Sequence, residues 1–472
     1  MAALDQFRGV TMIAMLFVNL YYGRSGLPAI FSHGITYMSG PDLVEPAFHF
    51  CVGFALRLVV LKRLGPAASE PLCSSSAFWA PRWALFRKLL LTRVLGLTVL
   101  SLFFSAGWGQ FDSWQDATQG GLGGFLLALL QSVQPYHTLL HIAILTVYTF
   151  VPMTLGPAYR AGQLLFTASL HALLLSTFYF QWIKVYGLDE GGYFGFLGWS
   201  LTALTGSLAH DAVVWARDSG SSGGGEEDGG AYAPLLGINS DEAAAGAPPQ
   251  LHKQQATRSR ALAPMALAAL ALMTAAYLLS CLGAVPALNP VCYNGQRIYF
   301  WGGFGDPADC AKVPTFLGGW AVAPPFALPN PDTNVVTQWT MTQRAGSLTY
   351  HLFTAGTSLL LFAGFYALGE VGVPLLPLPP SLAPLWGALG LSFTPAGGDS
   401  GLWLLRWSAA DLYGENSLAV YLFSDPLADN ISAMLPQDCP AWYFLLWGEG
   451  LYFLIAYATT SYLRHHKLFL RL

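Results

Sequence analysis

The sequence predicts an all-α polytopic membrane protein, a bundle of about 10 (10–11) transmembrane helices. Its 472 residues are 54% hydrophobic and only 10% charged, whereas soluble domains carry about 25% charged residues. The apolar residues gather into runs of about 20, the length that crosses a bilayer as a helix. Many of the 15 Trp, 21 Tyr and 30 Phe residues stand at the ends of these runs, as in interfacial aromatic belts. The lipid bilayer is therefore the first expected partner, and no basic stripe suggests nucleic acid.

Each apolar run is predicted to be a helix, because backbone polar groups in lipid need partners within their own segment. The first run begins at Val10 and lacks a small-residue cleavage site, so we interpret it as a retained helix and not as a signal peptide. The stretch 374–412 is rich in proline at its start and is left open as a re-entrant segment or an eleventh span. The ten candidate spans are 8–23, 43–61, 86–107, 136–156, 160–183, 193–215, 261–284, 347–369, 415–431 and 441–463.

Residues 217–258 interrupt the apolar pattern with Gly, Ser, Ala and Pro. Such a composition cannot bury enough apolar surface to fold, and it predicts a disordered linker. The linker separates an N-terminal membrane half, residues 1–216 with six spans, from a C-terminal half, residues 259–472 with about four spans. A further short interfacial helix is predicted at 121–133.

The distribution of Lys and Arg predicts the orientation of the bundle. Basic residues follow the second span and the last span, which places the N-terminus, the linker and the C-terminus in the cytosol. The loops 24–41, 108–135 and 285–345 then face the lumen or the exterior. Cys292 and Cys310 share the last of these loops and form either a disulfide or two free thiols.

Ionisable residues follow one face of the second span. Asp42, Glu45 and His49 are spaced i, i+3, i+7, so all three side chains share one side of the helix. Charged groups inside a membrane are costly and are functional candidates by default. His33 precedes Asp42 by nine residues, and the chain can fold back to bring the two together. A carboxylate beside an imidazole fixes its tautomer, which is what a general base requires.

Two further polar patterns have competing interpretations. Arg8 and Asn19 in the first span are eleven residues apart and share a face; either they belong to a site, or Arg8 reaches lipid headgroups and Asn19 bonds a neighbouring helix. His137 and His141 have the i, i+4 spacing of metal ligands. No third ligand is evident, so no metal site is predicted.

Several segments resemble the heparan-α-glucosaminide N-acetyltransferase family. That family opens with an Asp-x-x-Arg-Gly helix ending in Val-Asn, which is similar to Asp5–Gly9 and Val18-Asn19 here. A lumenal His and an Asp-Leu-Val-x-Pro-x-Phe helix follow in the family, as do His33 and Asp42–Phe48. Near the C-terminus, Asn416–Tyr421 is similar to the family's Asn-Ser-x-x-Val-Tyr segment. The resemblance covers chiefly residues 4–60 and 343–425.

The resemblance implies an enzyme that takes an acetyl group from cytosolic acetyl-CoA and transfers it to an amino-sugar of glucosamine type in the lumen. The expected location is a lysosomal, vacuolar or other endomembrane, and a homodimer is compatible with it. His33 would be the catalytic residue, supported by Asp42 and Asn19. On charge and predicted side, the candidates for binding the CoA phosphates are Arg8, Arg57, Lys62 and Arg344.

Two other functions remain open at this point. In a proton- or ion-coupled transporter, Asp42, Glu45 and His49 would form a relay, although no inverted repeat is evident. In a membrane O-acyltransferase of surface glycans, a related family also opens with an Asp-x-x-Arg-Gly helix but carries its His inside the membrane. The first span here contains no His.

Overall fold

The described part of the chain is mostly helical. The structure is a computed structural model, and it describes residues 2–21, 31, 33, 38–65, 72, 75–107, 138–180, 182–183, 190–218, 258–281, 292–293, 296–297, 338–374, 383–388, 390–395, 402–436 and 439–469. The predicted helix at 121–133, His137, Cys310 and all of the linker except its two ends lie outside these residues.

In its described residues, each of the ten predicted apolar segments overlaps a helix or two consecutive helices. The helices are α1 Ala2–Tyr21, α2 Val44–Leu64, α3 Ser76–Leu89, α4 Leu95–Gly107, α5 Thr138–Met153, α6 Pro157–Leu174, α7 Gly195–Asp218, α8 Leu262–Cys281, α9 Leu348–Tyr366, α10 Ala383–Ala388, α11 Ser408–Glu415, α12 Ser417–Met434, α13 Ala441–Tyr443 and α14 Gly450–His465. Short π-helical turns extend α6 and α9 and join α3 to α4 and α13 to α14. A 3₁₀ turn, Pro41–Leu43, precedes α2.

Within the part of the chain that the structure describes, four helical segments are long and apolar enough to cross a membrane, namely Pro41–Leu64, Pro157–Tyr179, Leu262–Ser280 and Leu348–Val371. A shorter apolar helix is Thr138–Met153. Leu348–Val371 packs along Leu262–Ser280 and also against Pro41–Leu64. An all-α membrane-type fold is therefore supported at this level, while the number of spans remains a prediction.

The stretch 374–412, for which the sequence allows a re-entrant segment or an eleventh span, contains strands. Among the described residues, β4 (Leu391–Pro395) pairs antiparallel with β5 (Leu402–Trp407), and β5 pairs with β3 (Val373–Pro374). Pro374, which is unfavourable inside a helix, lies in β3. A further two-residue pair joins β1 (Cys292–Tyr293) to β2 (Gln296–Arg297).

Glycines let two pairs of helices approach with their backbones in contact. A Cβ at Gly53 of α2 would stand 1.8 Å from the Ala203 carbonyl oxygen of α7, and one at Gly206 would stand 2.1 Å from the Phe50 oxygen. The same arrangement joins α1 to α11, where a Cβ at Gly9 would stand 1.7 Å from the Ala410 oxygen. Small residues at close helix contacts are typical of membrane bundles.

Replacing Gly53 by Ala is expected to destabilise the protein by about 1–3 kcal/mol, because the two helices must separate to admit the methyl group. The measurement is the melting temperature in detergent. Gly162 is the matched control: it lies inside α6 with open space around its Cα. There Ala is expected to be neutral or stabilising, since Ala has the higher helix propensity. Equal melting temperatures for the two variants would contradict the close packing of α2 on α7.

The two ends of the predicted linker meet at one carboxylate. Arg217, near the end of α7, contacts Glu370 with its Nη2 atom 3.3 Å from Oε2. Arg258, before α8, donates from Nη1 to the Glu370 backbone oxygen at 3.1 Å. The chain therefore leaves the N-terminal half and re-enters the C-terminal half at neighbouring positions.

Candidate active site

The structure brings His33 and Asp42 together. His33 Nδ1 lies 2.8 Å from Asp42 Oδ1, and the other carboxylate oxygen accepts bonds from the Ser39 backbone N–H at 2.8 Å and the Ser39 hydroxyl at 3.0 Å. Asp42 is fully buried, whereas the His33 side chain is 29% exposed. Because Nδ1 donates to the carboxylate, the lone pair of the imidazole is at Nε2. The result is an oriented, partly exposed imidazole with a proton-accepting nitrogen.

Local sequence explains why Asp42 is held so firmly. Ser39 and Asp42 form a Ser-x-x-Asp capping pattern, in which the acidic side chain reaches back to the Ser backbone N–H at a helix start. Pro41 supports the turn, since its fixed φ suits the first helical position. The Tyr350 hydroxyl of α9 donates to the Asp42 backbone oxygen at 2.6 Å. A distant helix thus fixes the backbone that carries the carboxylate.

A second carboxyl group, Glu45, lies one turn further along α2. Its Oε2 accepts from Gln343 Nε2 at 2.9 Å, and the side chains of Thr138 and Glu190 lie against the same carboxyl group. His33 is within electrostatic range of it. Gln343 and Glu190 come from segments that precede α9 and α7, so four separate parts of the chain meet here.

Asn19 bonds residues of α12 and not His33. Its amide donates to Asp425 and lies 3.4 Å from the Ser424 hydroxyl, both on α12. Tyr421, one turn earlier on α12, stands beside Thr138 and within electrostatic range of Asp425 and Glu45. The Asn19 amide is thus directed to the neighbouring helix α12, and its role in supporting His33 stays a prediction.

Buried imidazoles surround Trp199 of α7. His49 stacks on the indole with ring centroids 4.6 Å apart, and His351 meets it edge-on at 4.7 Å. His171 lies 5.7 Å from His351 between ring centroids, and His141 lies 6.5 Å from Trp199. All four imidazoles are fully buried. They come from α2, α5, α6 and α9, and we call them the imidazole cluster.

A cluster of cations lies toward the other end of α2. Arg57 donates to both oxygens of Asp211 at 3.0 and 3.3 Å and to the Met153 backbone oxygen at 2.7 Å. Arg160 also binds Asp211, and His210 Nδ1 lies 3.2 Å from the same carboxylate. Arg57 and Arg160 are buried. With two guanidinium groups on one carboxylate, this cation cluster has a surplus positive charge.

The four cations predicted to bind CoA phosphates do not converge. Lys62 is exposed on the last turn of α2, beyond Arg57. Arg8 bonds Asp5 at 3.0 Å within α1. Arg344 requires a correction: its backbone oxygen bonds Gly191, next to Glu190, at the opposite end of α2 from Arg57. Arg344 belongs to the loop 285–345, which the sequence predicts on the lumenal side, so its charge alone had made it a candidate for the CoA phosphates.

The polar groups extend along nearly the whole length of α2. Asp42 and Arg57 are fifteen residues apart, about 22 Å along a helix axis. His49 lies between them. Among the described residues, no group of three or more His, Cys, Asp or Glu side chains has a geometry that could hold a metal ion.

The chain matches no protein-family model, no curated protein and no solved structure. Functional inference therefore rests on the residues themselves.

Sequence reasoning missed several residues of this arrangement. Glu190, Arg160 and Trp199 were not singled out. Arg160 could have been recognised from the sequence, because a charged residue in the first turn of an apolar helix needs a buried partner. Glu190 offered no such signal, since it precedes α7 in a loop-like segment.

Proposed function

We propose that the protein is a membrane-embedded acetyltransferase that moves an acetyl group from cytosolic acetyl-CoA to an amino-sugar acceptor of glucosamine type on the lumenal side. The observation that carries the proposal is the His33–Asp42 pair, a buried carboxylate orienting a partly exposed imidazole. The cation cluster some 22 Å away along α2 supports it. An elongated donor with phosphates at one end and a thioester at the other suits that separation.

The chemistry requires a base. His33 Nε2 accepts a proton from the acceptor nitrogen as this nitrogen attacks the thioester carbonyl, and the carbon–sulfur bond breaks. The thiolate then takes a proton and leaves as CoA thiol. Asp42 stabilises the imidazolium in between. Direct transfer and an acetyl-imidazole intermediate both use this geometry.

The donor end of the site is assigned to Arg57 and Arg160. Arg160 is fully buried, and its Nε and Nη1 atoms have no hydrogen-bond partner among the described residues. Unpaired donors on a buried guanidinium favour an anion, since burying such groups unsatisfied is costly. Lys62 and Arg8 are assigned to the same end of the bundle as Arg57. Arg344 is not assigned to the donor site.

The proposed setting is a bundle of about ten spans in a lysosomal, vacuolar or other endomembrane, with both termini in the cytosol. The basic residues after α2 and α14 support this orientation. The N-terminal ends of α2, α5 and α7 then lie at the lumenal side with His33, and the cation cluster lies at the cytosolic side.

The test is acetyl transfer by the purified protein in detergent, with acetyl-CoA as donor and glucosamine as acceptor. We expect wild type to form N-acetylglucosamine and free CoA thiol. Arg160→Gln, in which Arg57 still pairs with Asp211, is expected to raise KM for acetyl-CoA by about tenfold with kcat little changed, because a hydrogen bond to a charged group is lost in ground state and transition state alike. Arg464→Gln, an exposed arginine on α14, is the control.

The second candidate is a proton-coupled transporter. The observation that favours it is the imidazole cluster, which continues the line of Asp42, Glu45 and His49. If the wild-type protein releases no CoA from acetyl-CoA, and if adding acetyl-CoA does not raise its melting temperature, the transporter is favoured. Transfer to hydroxyl groups of glycans, with none to glucosamine, would indicate the O-acyltransferase.

A further inference from the structure

The imidazole cluster contains ring nitrogens whose hydrogen bonds are incomplete. His49 Nε2, His171 Nδ1 and both ring nitrogens of His351 are buried without a hydrogen-bond partner among the described residues. Buried polar groups are nearly always hydrogen-bonded, and each exception costs about 1–3 kcal/mol. The cluster is therefore not explained as packing, for which Phe or Leu would serve without this cost.

Backbone carbonyls fix the tautomers of three of these rings. His49 Nδ1 lies 3.0 Å from the Glu45 oxygen, His141 Nε2 lies 3.2 Å from the Gly192 oxygen, and His171 Nε2 lies 2.7 Å from the Gly346 oxygen. Because a carbonyl only accepts, each of these nitrogens carries the hydrogen. The second nitrogen of each ring then carries a lone pair, a proton-accepting position.

The chain makes room for His351 at the centre. A Cβ at Gly198 would stand 2.0 Å from His351 Nε2, so a side chain at position 198 would displace this ring. His49, His141 and His171 are all within electrostatic range of His351. Tyr350, on the same helix, is also titratable and is in ring contact with His351. One water molecule between two imidazoles spans about 5.8 Å between nitrogens, twice a hydrogen-bond length.

The carboxyl groups near His33 connect to this cluster. Glu190 lies against the Glu45 carboxyl group, and its Oε2 is 3.7 Å from His141 Nδ1. Glu45, in turn, is within electrostatic range of His33. A series of proton-binding groups, each within electrostatic range of the next, therefore runs from the edge of the bundle at His33 to its buried centre at His351.

We propose that Glu45, Glu190 and the imidazole cluster form, with bound water, a proton relay that removes one proton from the acceptor's ammonium group. The inference rests on the proposed function. An acceptor that arrives as R–NH₃⁺ loses two protons: one must leave before the nitrogen can attack, and the other leaves as the amide forms. His33 passes one to the departing thiolate. The overall change, R–NH₃⁺ plus acetyl-CoA giving the amide, CoA thiol and H⁺, leaves one proton for the relay to release to water.

The experiment compares two acceptors in His351→Phe. Glucosamine is a basic amine and reaches the site largely protonated at neutral or acidic pH, whereas hydroxylamine is weakly basic and arrives neutral. The variant is expected to transfer acetyl to glucosamine about 100-fold more slowly than wild type and to hydroxylamine at the wild-type rate. Raising the pH until glucosamine is neutral is expected to restore its rate. The variant is also expected to melt at or above the wild-type temperature, because an unsatisfied polar ring has been removed.

The controls separate the possible failures. His465→Phe changes an exposed histidine at the end of α14 and is expected to match wild type with both acceptors. If His351→Phe does not fold, His49→Phe takes its place with the same expectation. An equal loss with both acceptors, or no loss with either, would overturn the relay while leaving the acetyltransferase intact. Wild type inactive with both acceptors would overturn the proposed function itself and the relay with it.

Discussion

His33→Ala is expected to reduce acetyl transfer to glucosamine by about 10²–10⁴-fold, the usual contribution of a general base. The base positioned by Asp42 disappears, whereas the buried carboxylate keeps both of its bonds to Ser39. His33 itself is partly exposed, so its removal leaves no cavity in the core. The measurement is N-acetylglucosamine formed per unit time by purified protein with matched melting temperature.

A matched pair of variants sharpens this prediction. Asp42→Asn keeps the shape of the side chain but removes the charge that stabilises the imidazolium, and a loss close to that of His33→Ala is expected. His465→Ala removes an exposed imidazole elsewhere and is expected to retain the full rate. A His33→Ala protein as active as wild type would show that this imidazole is not the base.

Asp211→Asn is expected to destabilise the protein by about 3–5 kcal/mol, because removing one member of a buried ion pair leaves the other uncompensated. Here two guanidinium groups, those of Arg57 and Arg160, lose their shared carboxylate. The asparagine can accept through one oxygen only and carries no charge. The readouts are the yield of folded protein and the melting temperature in detergent.

The control for this second prediction is Asp429→Asn on α12, whose carboxylate is exposed. Its melting temperature is expected to stay at the wild-type value, as for most surface substitutions. A wild-type melting temperature for Asp211→Asn would mean that water or another acceptor already satisfies Arg57 and Arg160. The assignment of a surplus charge to this cluster would then be wrong.

The sequence predicts the helices well because a long apolar run has to satisfy its backbone polar groups within its own segment. The run predicted at 43–61 is helical from 44 to 64, and the run at 347–369 is helical from 348 to 366 and continues as a π-helical turn to 371. The pairing of His33 with Asp42 was also predictable, since nine residues and a Ser-x-x-Asp turn bring the two together. In both cases, residues close together in the sequence are enough to predict the structure.

The long-range part of the site could not be predicted in the same way. Arg57 and Asp211 are separated by 154 residues and Gln343 and Glu45 by 298, and no local pattern connects them. The position of Arg344 depends on the path of a long loop. The strands β4 and β5 depend on pairing with each other, which an apolar stretch of 374–412 does not reveal. These features are decided by tertiary packing.

The junction at Glu370 has a consequence for engineering the chain. Since Arg217 and Arg258 are held at the same residue, the segment between them closes a loop whose two ends are already neighbours. The entropy of closing a loop grows slowly, by about 0.6 kcal/mol for each doubling of its length. Residues 219–257 thus provide an insertion point, where a fluorescent protein or an affinity domain can be added with little change in the free energy of folding. The contacts of Arg217 and Arg258 with Glu370 hold the two ends of this loop next to each other.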